Sequence, residues 1–352
     1  MKIKEGKAMK YYDKKNGQPH ILSVDQFNRE SLENFFLSVD LMQPIARRQK
    51  ISRVLEGAVL ANLFFEASTR TRVSFGAAFC RLGGSVCDTT GFTFSSMAKG
   101  ESIYDTSRVI SGYADAMVVR HPEEGAVDQF AQATTLPLIN AGDGPGEHPS
   151  QALLDLYTIK QEFNRLGKPI NNAHIAFVGD LKYGRTVHSL AKLLTLYQGL
   201  KITLVSPSFL ALPEKILNRI NTANHVIEQT NHLEKGIQNA DVIYATRAQK
   251  ERFDNENMTG YTPEFQINQK IINANCRADT LIMHPLPRDS RPDANDLSID
   301  LNNDQRLAIF RQTDNGIPVR MALFAILLDV IDQIKPTLQD VNWQKPLPYT
   351  RI

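Results

Sequence analysis

Ala58-Val59-Leu60-Ala61-Asn62-Leu63-Phe64-Phe65, followed at once by Glu66-Ala67-Ser68-Thr69-Arg70-Thr71-Arg72, is the stretch from which the architecture can be read. The first eight residues form an almost unbroken apolar run behind Gly57. A run this short and this uniformly apolar reads as a strand covered on both faces, as in a parallel sheet. A helix is expected next, with Val73, Phe75, Phe79 and Leu82 on its inner side and Gly83-Gly84 as its stop. A strand, a polar turn and a helix in succession are the building unit of an α/β domain.

The same alternation recurs on either side. Upstream, Leu32, Phe35, Phe36 and Val39 follow the i, i+3, i+4, i+7 spacing of one helix face. Downstream, helical patterns over 101–112, 125–133 and 149–163 alternate with strands 116–119 and 136–140. After the break at Pro169-Ile170-Asn171-Asn172, strands 173–178, 201–205, 225–229, 241–245 and 280–284 follow. Helices 185–197, 213–221 and 232–239 separate the first of these, and a last helix is expected over 318–334. The expectation is an α/β protein of two consecutive doubly wound domains, each with a central parallel sheet.

The expected boundaries are 1–22 for a basic flexible arm, 23–150 for a first domain, 151–317 for a second and 335–352 for an extended tail. The arm carries Lys2, Lys4, Lys7, Lys10, Lys14 and Lys15 but no arginine, and it keeps Glu5 and Asp13, unlike a transit peptide. Over all 352 residues, 40 Lys plus Arg balance 38 Asp plus Glu, and a net charge of +2 argues against a dedicated nucleic-acid binder. No apolar run approaches the ~20 residues of a membrane span, and no signal-peptide pattern opens the sequence. Cys80, Cys87 and Cys276 are odd in number and lack metal-ligand spacing, so neither a disulfide framework nor a metal site is expected.

In open parallel sheets, ligands bind beyond the carboxyl ends of the strands. After the first strand, Ser68-Thr69-Arg70-Thr71-Arg72 sets hydroxyls and guanidinium groups at a helix start, where free N–H groups and the positive dipole end favour an anion such as phosphate. Arg120 ends another strand. The glycine-rich stretch Ala141 to Gly146 leads into His148-Pro149-Ser150-Gln151, where an imidazole suits a developing oxyanion and an amide suits another amide. Gly179-Asp180-Leu181-Lys182-Tyr183-Gly184-Arg185-Thr186 approaches a P-loop, but Arg185 replaces the essential lysine and no strand ends in a magnesium-binding aspartate. Arg185 instead reads as a carboxylate fork, Thr246-Arg247-Ala248-Gln249 follows a later strand, and two prolines stiffen His284-Pro285-Leu286-Pro287-Arg288. No nucleophile–base pair accompanies these groups.

Three of these stretches, in this order, resemble the signatures of the transcarbamoylase family: Ser68 to Arg72, Gly142 to Gln151, and His284 to Arg288. Pro285, where ornithine-type members usually carry Cys, and Arg185 with Arg247 and Gln249 resemble the aspartate-specific pattern. The resemblance implies carbamoyl transfer from carbamoyl phosphate to L-aspartate, as in pyrimidine synthesis, with no cofactor. It implies that Ser68, Thr69, Arg70, Thr71 and Arg120 hold the phosphate, and that Thr71, Arg120 and His148 donate to the carbamoyl oxygen. Gln151 and the carbonyls of Leu286 and Pro287 would orient the carbamoyl amide; Arg185, Arg247 and Gln249 would take the aspartate carboxylates. Phe94 to Glu101 is similar to a family loop that enters a neighbouring subunit, which implies a homotrimer with shared sites in which Ser95 and Lys99 serve the next protomer; with neither span nor signal pattern, the expected location is cytoplasmic. Ala98 stands where the family often has a second basic residue, which leaves Lys99 as the working cation. The resemblance also implies that helix 318–334 packs back on the first domain. An ornithine-type amine, a non-catalytic carbamoyl-phosphate-binding subunit, and association with regulatory chains or a dihydroorotase stay open at this point.

Overall fold

Most short apolar runs of the sequence become strands whose polar successors open helices or loops, whereas the apolar run of residues 316–327 is a buried helix. The computed structural model describes residues 13–15, 17–91, 96–247, 265–289 and 296–343. Two compact units divide the chain, one running to Ser150 and resuming at Gly316, the other spanning Gln151–Asn315. The first unit begins with β1 (Asp13–Lys15), β2 (Gln18–Ile21), α1 (Arg29–Ala46), β3 (Lys50–Ile51), β4 (Val59–Phe64) and α2 (Thr69–Arg81). It continues with β5 (Ser85–Thr90), α3 (Ile103–Ser111), β6 (Ala116–His121), α4 (Ala126–Ala133) and β7 (Leu138–Asp143). Helix α5 (Pro149–Leu166) leads into the second unit's β8 (His174–Gly179), α6 (Arg185–Leu194), β9 (Lys201–Val205), α7 (Glu214–Asn221) and β10 (Val226–Thr230). There follow α8 (Leu233–Ile237), β11 (Val242–Thr246), α9 (Gln269–Asn275), β12 (Leu281–Met283) and α10 (Ile309–Asp314). The chain then re-enters the first unit with α11 (Gly316–Leu327), α12 (Ile331–Thr337) and β13 (Gln339–Asp340), the last pairing antiparallel with β3.

The first sheet has the order β1-β2-β7-β6-β4-β5, parallel throughout except for the β1–β2 edge pair. The second, β10-β9-β8-β11-β12, is wholly parallel. From β4 the chain moves outward to β5, and from β8 to β9 and β10; in each sheet it then returns past that strand and proceeds the other way. Right-handed crossovers in opposite directions put helices on opposite faces, and a crevice opens where the direction reverses. The reversals fall between β4 and β6 and between β8 and β11.

One core of the first unit lies where α11 packs against α1 and α2, and a second gathers Leu63, Phe65, Val119 and Phe130. Helix α11 is apolar nearly all round and correspondingly buried, with Phe324 set edge-on to Phe75 and Phe79, ring centroids 5.9 and 4.9 Å away. Helix α1 starts in a capping box: Ser31 N–H donates to Asn28 Oδ1 at 2.8 Å, and Asn28 N–H donates to Ser31 Oγ at 3.0 Å.

Several expectations are corrected. The arm does not extend to residue 22: Gln18–Ile21 is a strand parallel to β7, with His20 and Ile21 fully buried, and Lys15 is ion-paired to Asp128. Four residues interrupted by Pro19 carry no period of their own, so only pairing to β7 makes them a strand. Strand β5, Ser-Val-Cys-Asp-Thr-Thr, has no apolar run because it forms a sheet edge. Val73 faces outward at 57 % exposure, since it stands two residues, about 200° of helix, from Phe75. The expected helix 318–334 is two helices, α11 and α12, parted where Asp329 takes φ +55° and Val330 N–H closes onto Ala325 O at 2.8 Å. The tail expected from 335 still holds the end of α12 and β13. Residues 1–12 of the arm and 344–352 of the tail lie outside the described residues.

Phe324→Ala empties the contact of three rings and should cost about 3–5 kcal/mol, read as a lower urea midpoint with an unchanged slope. A second expectation concerns pH. Burial lowers the imidazole pKa values of His121, His174 and His225 below their ordinary 6.5. Between the depressed folded values and 6.5 the unfolded chain binds more protons, so stability is lost as pH falls through 6.5 and below. Each histidine steepens that loss by at most about 1.4 kcal/mol per pH unit, and His174→Gln should flatten the slope in denaturant titrations between roughly pH 7.5 and 5.5.

Candidate active site

The reversal between β4 and β6 brings the first predicted residues together. Phe65 N–H donates to Arg120 O at 2.9 Å, and Arg120 Nη2 pairs with Glu66 Oε2 at 2.7 Å. Glu66 sits in the turn that carries Ser68 to Thr71, so the arginine at the end of β6 is tied to the turn after β4. Ser68 occupies the N-cap position of α2 but makes no side-chain cap hydrogen bond, and the first turn holds no acidic residue. Its arginines lie at the positive end of the helix dipole, an unfavourable position for a cation unless an anion sits there. Arg72 is engaged elsewhere: it pairs with Asp88 at 3.2 Å, and Asn62 Nδ2 donates to the same carboxylate at 2.9 Å. Arg70 is exposed, although the surrounding protein desolvates its guanidinium enough to lower its pKa from the ordinary value. Thr71 is buried one position on.

His148 is delivered by the loop after β7. Gly142 N–H donates to Asn140 Oδ1 at 2.7 Å, and Gly144 N–H donates to His121 O at 2.9 Å. Gly144 has φ +48°, and a Cβ there would lie 2.6 Å from Glu124 N, so the loop can rest on the Pro122–Glu124 segment only with glycine. Asp143 accepts from Gly125 and Val127 N–H at 2.9 and 3.2 Å and so serves the start of α4. Glu147 accepts from Ser23 Oγ and Val24 N–H, both at 2.9 Å. Between these anchors His148 is buried, its Nδ1 3.4 Å from Ser150 Oγ.

In the second unit, the β8–β11 reversal gathers the other group. Gly179, the last residue of β8, has φ +112°, and a Cβ would fall 2.3 Å from Thr246 O, so the two strand ends run in close contact. Arg185 opens α6 just beyond one end and is buried; Arg247 follows the other end. Gln151 Nε2 donates to Asp155 Oδ1 at 2.9 Å, a carboxylate with no exposure that also accepts from Gln312 Nε2 and Tyr244 Oη, both at 2.7 Å. Gln312 Oε1 accepts from His284 N–H at 3.0 Å. His284 Nδ1 accepts from Leu286 N–H at 2.8 Å, so its proton resides on Nε2, which faces Asp296 Oδ2 at 3.0 Å. Leu286, with φ +57°, and Pro287, joined to it by a cis peptide bond, are thus held on a buried imidazole.

The remaining predicted residues are placed unevenly. Lys99 ends the short turn Ser96–Lys99 and is exposed. Ser95 and Gln249 lie outside the described residues. Glu66 joins the first unit's group, and Asp155 and Tyr244 the second unit's, without belonging to any of the predicted motifs, although Asp155 stands four residues after Gln151 on one helix face, a spacing that signals a pair. Among the described residues no helix is long and apolar enough to cross a membrane.

Comparison with known proteins shows the family to which the chain belongs. Residues 19–161 match the carbamoyl-P binding domain of the aspartate/ornithine carbamoyltransferases, and residues 171–327 match their Asp/Orn binding domain. The chain is 55% identical over 325 residues to the aspartate carbamoyltransferase catalytic subunit of Saccharophagus degradans, covering 92% of this chain and 96% of that protein. It is 40% identical to the corresponding subunit of Methanococcoides burtonii over 89% of this chain and 98% of that one. The aspartate transcarbamoylase of Trypanosoma cruzi, solved with carbamoyl phosphate and aspartate, superposes with a TM-score of 0.80 at 35% identity, covering 90% of this chain and 98% of that one. The catalytic subunit of the M. jannaschii aspartate transcarbamoylase superposes with a TM-score of 0.78 at 40% identity, covering 88% and 98%. On two domain matches that together span most of the chain, the protein belongs to the aspartate/ornithine carbamoyltransferase family.

Proposed function

We propose that the chain transfers the carbamoyl group of carbamoyl phosphate to the amino group of L-aspartate, giving N-carbamoyl-L-aspartate and phosphate. The observation that carries this reading is the uncapped, acid-free start of α2 with Arg120 tied beside it, an anion site at a strand-order reversal. Ser68, Thr69, Arg70, Thr71 and Arg120 hold the phosphate. The deprotonated amine attacks the carbamoyl carbon, and the C–N bond forms as the carbonyl oxygen takes up negative charge. Thr71, Arg120 and His148 donate to that oxygen. Collapse breaks the bond from carbon to the phosphate oxygen, and the proton shed by the attacking nitrogen leaves with phosphate. Neither a metal nor a covalent enzyme intermediate is needed for this sequence; positioning and charge stabilisation supply the rate.

Gln151 and the carbonyls of Leu286 and Pro287 orient the carbamoyl amide, and Arg185, Arg247 and Gln249 bind the aspartate carboxylates. The relatives' names favour aspartate over ornithine, as does Pro285. Lys99 and Ser95 act in the site of a neighbouring protomer of a cytoplasmic homotrimer. Regulatory chains or a dihydroorotase could join that trimer.

Two measurements test the reading. Saturation assays with carbamoyl phosphate and either L-aspartate or L-ornithine, run on a sample sized by light scattering, should give turnover with aspartate alone from a species of three chains. Turnover with ornithine alone would reassign the amine, and a fully active monomer would end the shared-site proposal. Arg70→Ala removes a charged phosphate partner and should lower turnover about 10³-fold or more; near-normal turnover would remove the anion site from this turn.

A further inference from the structure

The carboxylate of Asp155 is fully buried and surrounded by donors from three different elements. Gln151 reaches it from one turn earlier on α5, Tyr244 from β11 and Gln312 from α10, at 2.9, 2.7 and 2.7 Å. A buried anion is costly unless hydrogen bonds satisfy it, so these donors are bound to it strongly and in fixed orientation. Each donor also leads to a group named above. Gln151 is itself the amide reader. Tyr244 stands three residues before Arg247, and the Thr186 hydroxyl, next to Arg185, donates to the same phenol oxygen. Burial holds that phenol far above its ordinary pKa, so it stays a donor to Asp155. Gln312, with Nε2 committed to Asp155, turns its Oε1 to His284 N–H, and His284 Nδ1 fixes Leu286 N–H.

From this geometry we infer that Asp155 is the positioning residue for recognition of the carbamoyl amide. Its charge compels Gln151 to spend an N–H inward, which leaves the amide oxygen of Gln151 to accept from the ligand's NH₂. The same charge sets Gln312, and through His284 the turn whose Leu286 and Pro287 carbonyls accept from that NH₂ as well. The inference rests on the proposed carbamoyl-phosphate reading and deepens it, since it names what distinguishes that ligand from phosphate alone.

The test compares binding of phosphonoacetamide, which carries the same amide on a stable phosphonate, with binding of inorganic phosphate, by calorimetry on the full chain. Wild type should bind phosphonoacetamide more tightly. Asp155→Asn is nearly isosteric but presents an NH₂ to the donors, and it should cut that preference at least tenfold while the phosphate Kd changes less than twofold. Tyr244→Phe keeps the ring against Phe177 (centroids 5.7 Å apart) and removes one donor, and it should cut the preference about threefold. A preference retained in a folded Asp155→Asn chain overturns the inference. If that variant does not fold, an unchanged preference in Tyr244→Phe overturns it. Equal binding of the two ligands by wild type overturns it as well, whereas a normal preference without any carbamoyl transfer strikes only the activity.

Discussion

Strand order reverses once in each sheet, between β4 and β6 and between β8 and β11, and the candidate groups that follow those four strands depend on the two reversals. At a reversal the connections on either side leave for opposite faces, so no helix or loop is forced across the carboxyl ends of the two central strands. The gap admits a ligand and collects the turns that follow both strands. Residues far apart in the chain, such as Ser68 and Arg120 or Arg185 and Arg247, thereby border common crevices. Close approach of the strand ends follows from the same constraint and explains why Gly179 must lack a side chain beside Thr246.

Charge is then distributed by pairing rather than by amount. A chain with a net charge of +2 still sets several arginines at strand ends, because the acidic residues nearby are committed to particular partners. Asp88 takes Arg72, Glu66 takes Arg120, and Asp143 and Glu147 hold backbone N–H groups. Arg70 is left at a helix start with no acid in the first turn, against the dipole preference that an ordinary helix would obey. In the second unit the corresponding work falls to buried hydrogen bonds on Asp155 and Asp296, which orient neutral amides and an imidazole.

Much of this is legible in residue order. The apolar run 58–65 and its polar successor mark β4 and α2 because burial on two faces removes polar residues from a strand, and free N–H groups at a helix start attract anion-binding ones. Arg185 and His148 are legible as residues at helix mouths. The outward position of Val73 is not marked by its apolar side chain but by its spacing, two residues or about 200° of helix from Phe75. The break between α11 and α12 is not legible: the apolar pattern runs on, and the stop comes from Asp329, a residue without a helix-breaking signature that turns to positive φ.

Residue order thus suffices for the alternation of strands and helices, the count of two domains and the chemistry that follows each strand, since period and side-chain type are local properties. Folding in three dimensions was needed to make strands of Gln18–Ile21 and Ser85–Thr90, to choose which strand ends become neighbours, and to gather Gln151, Tyr244 and Gln312 on Asp155. Those outcomes rest on pairing and burial between residues far apart in the chain. A short or polar segment carries no period from which such partners could be read.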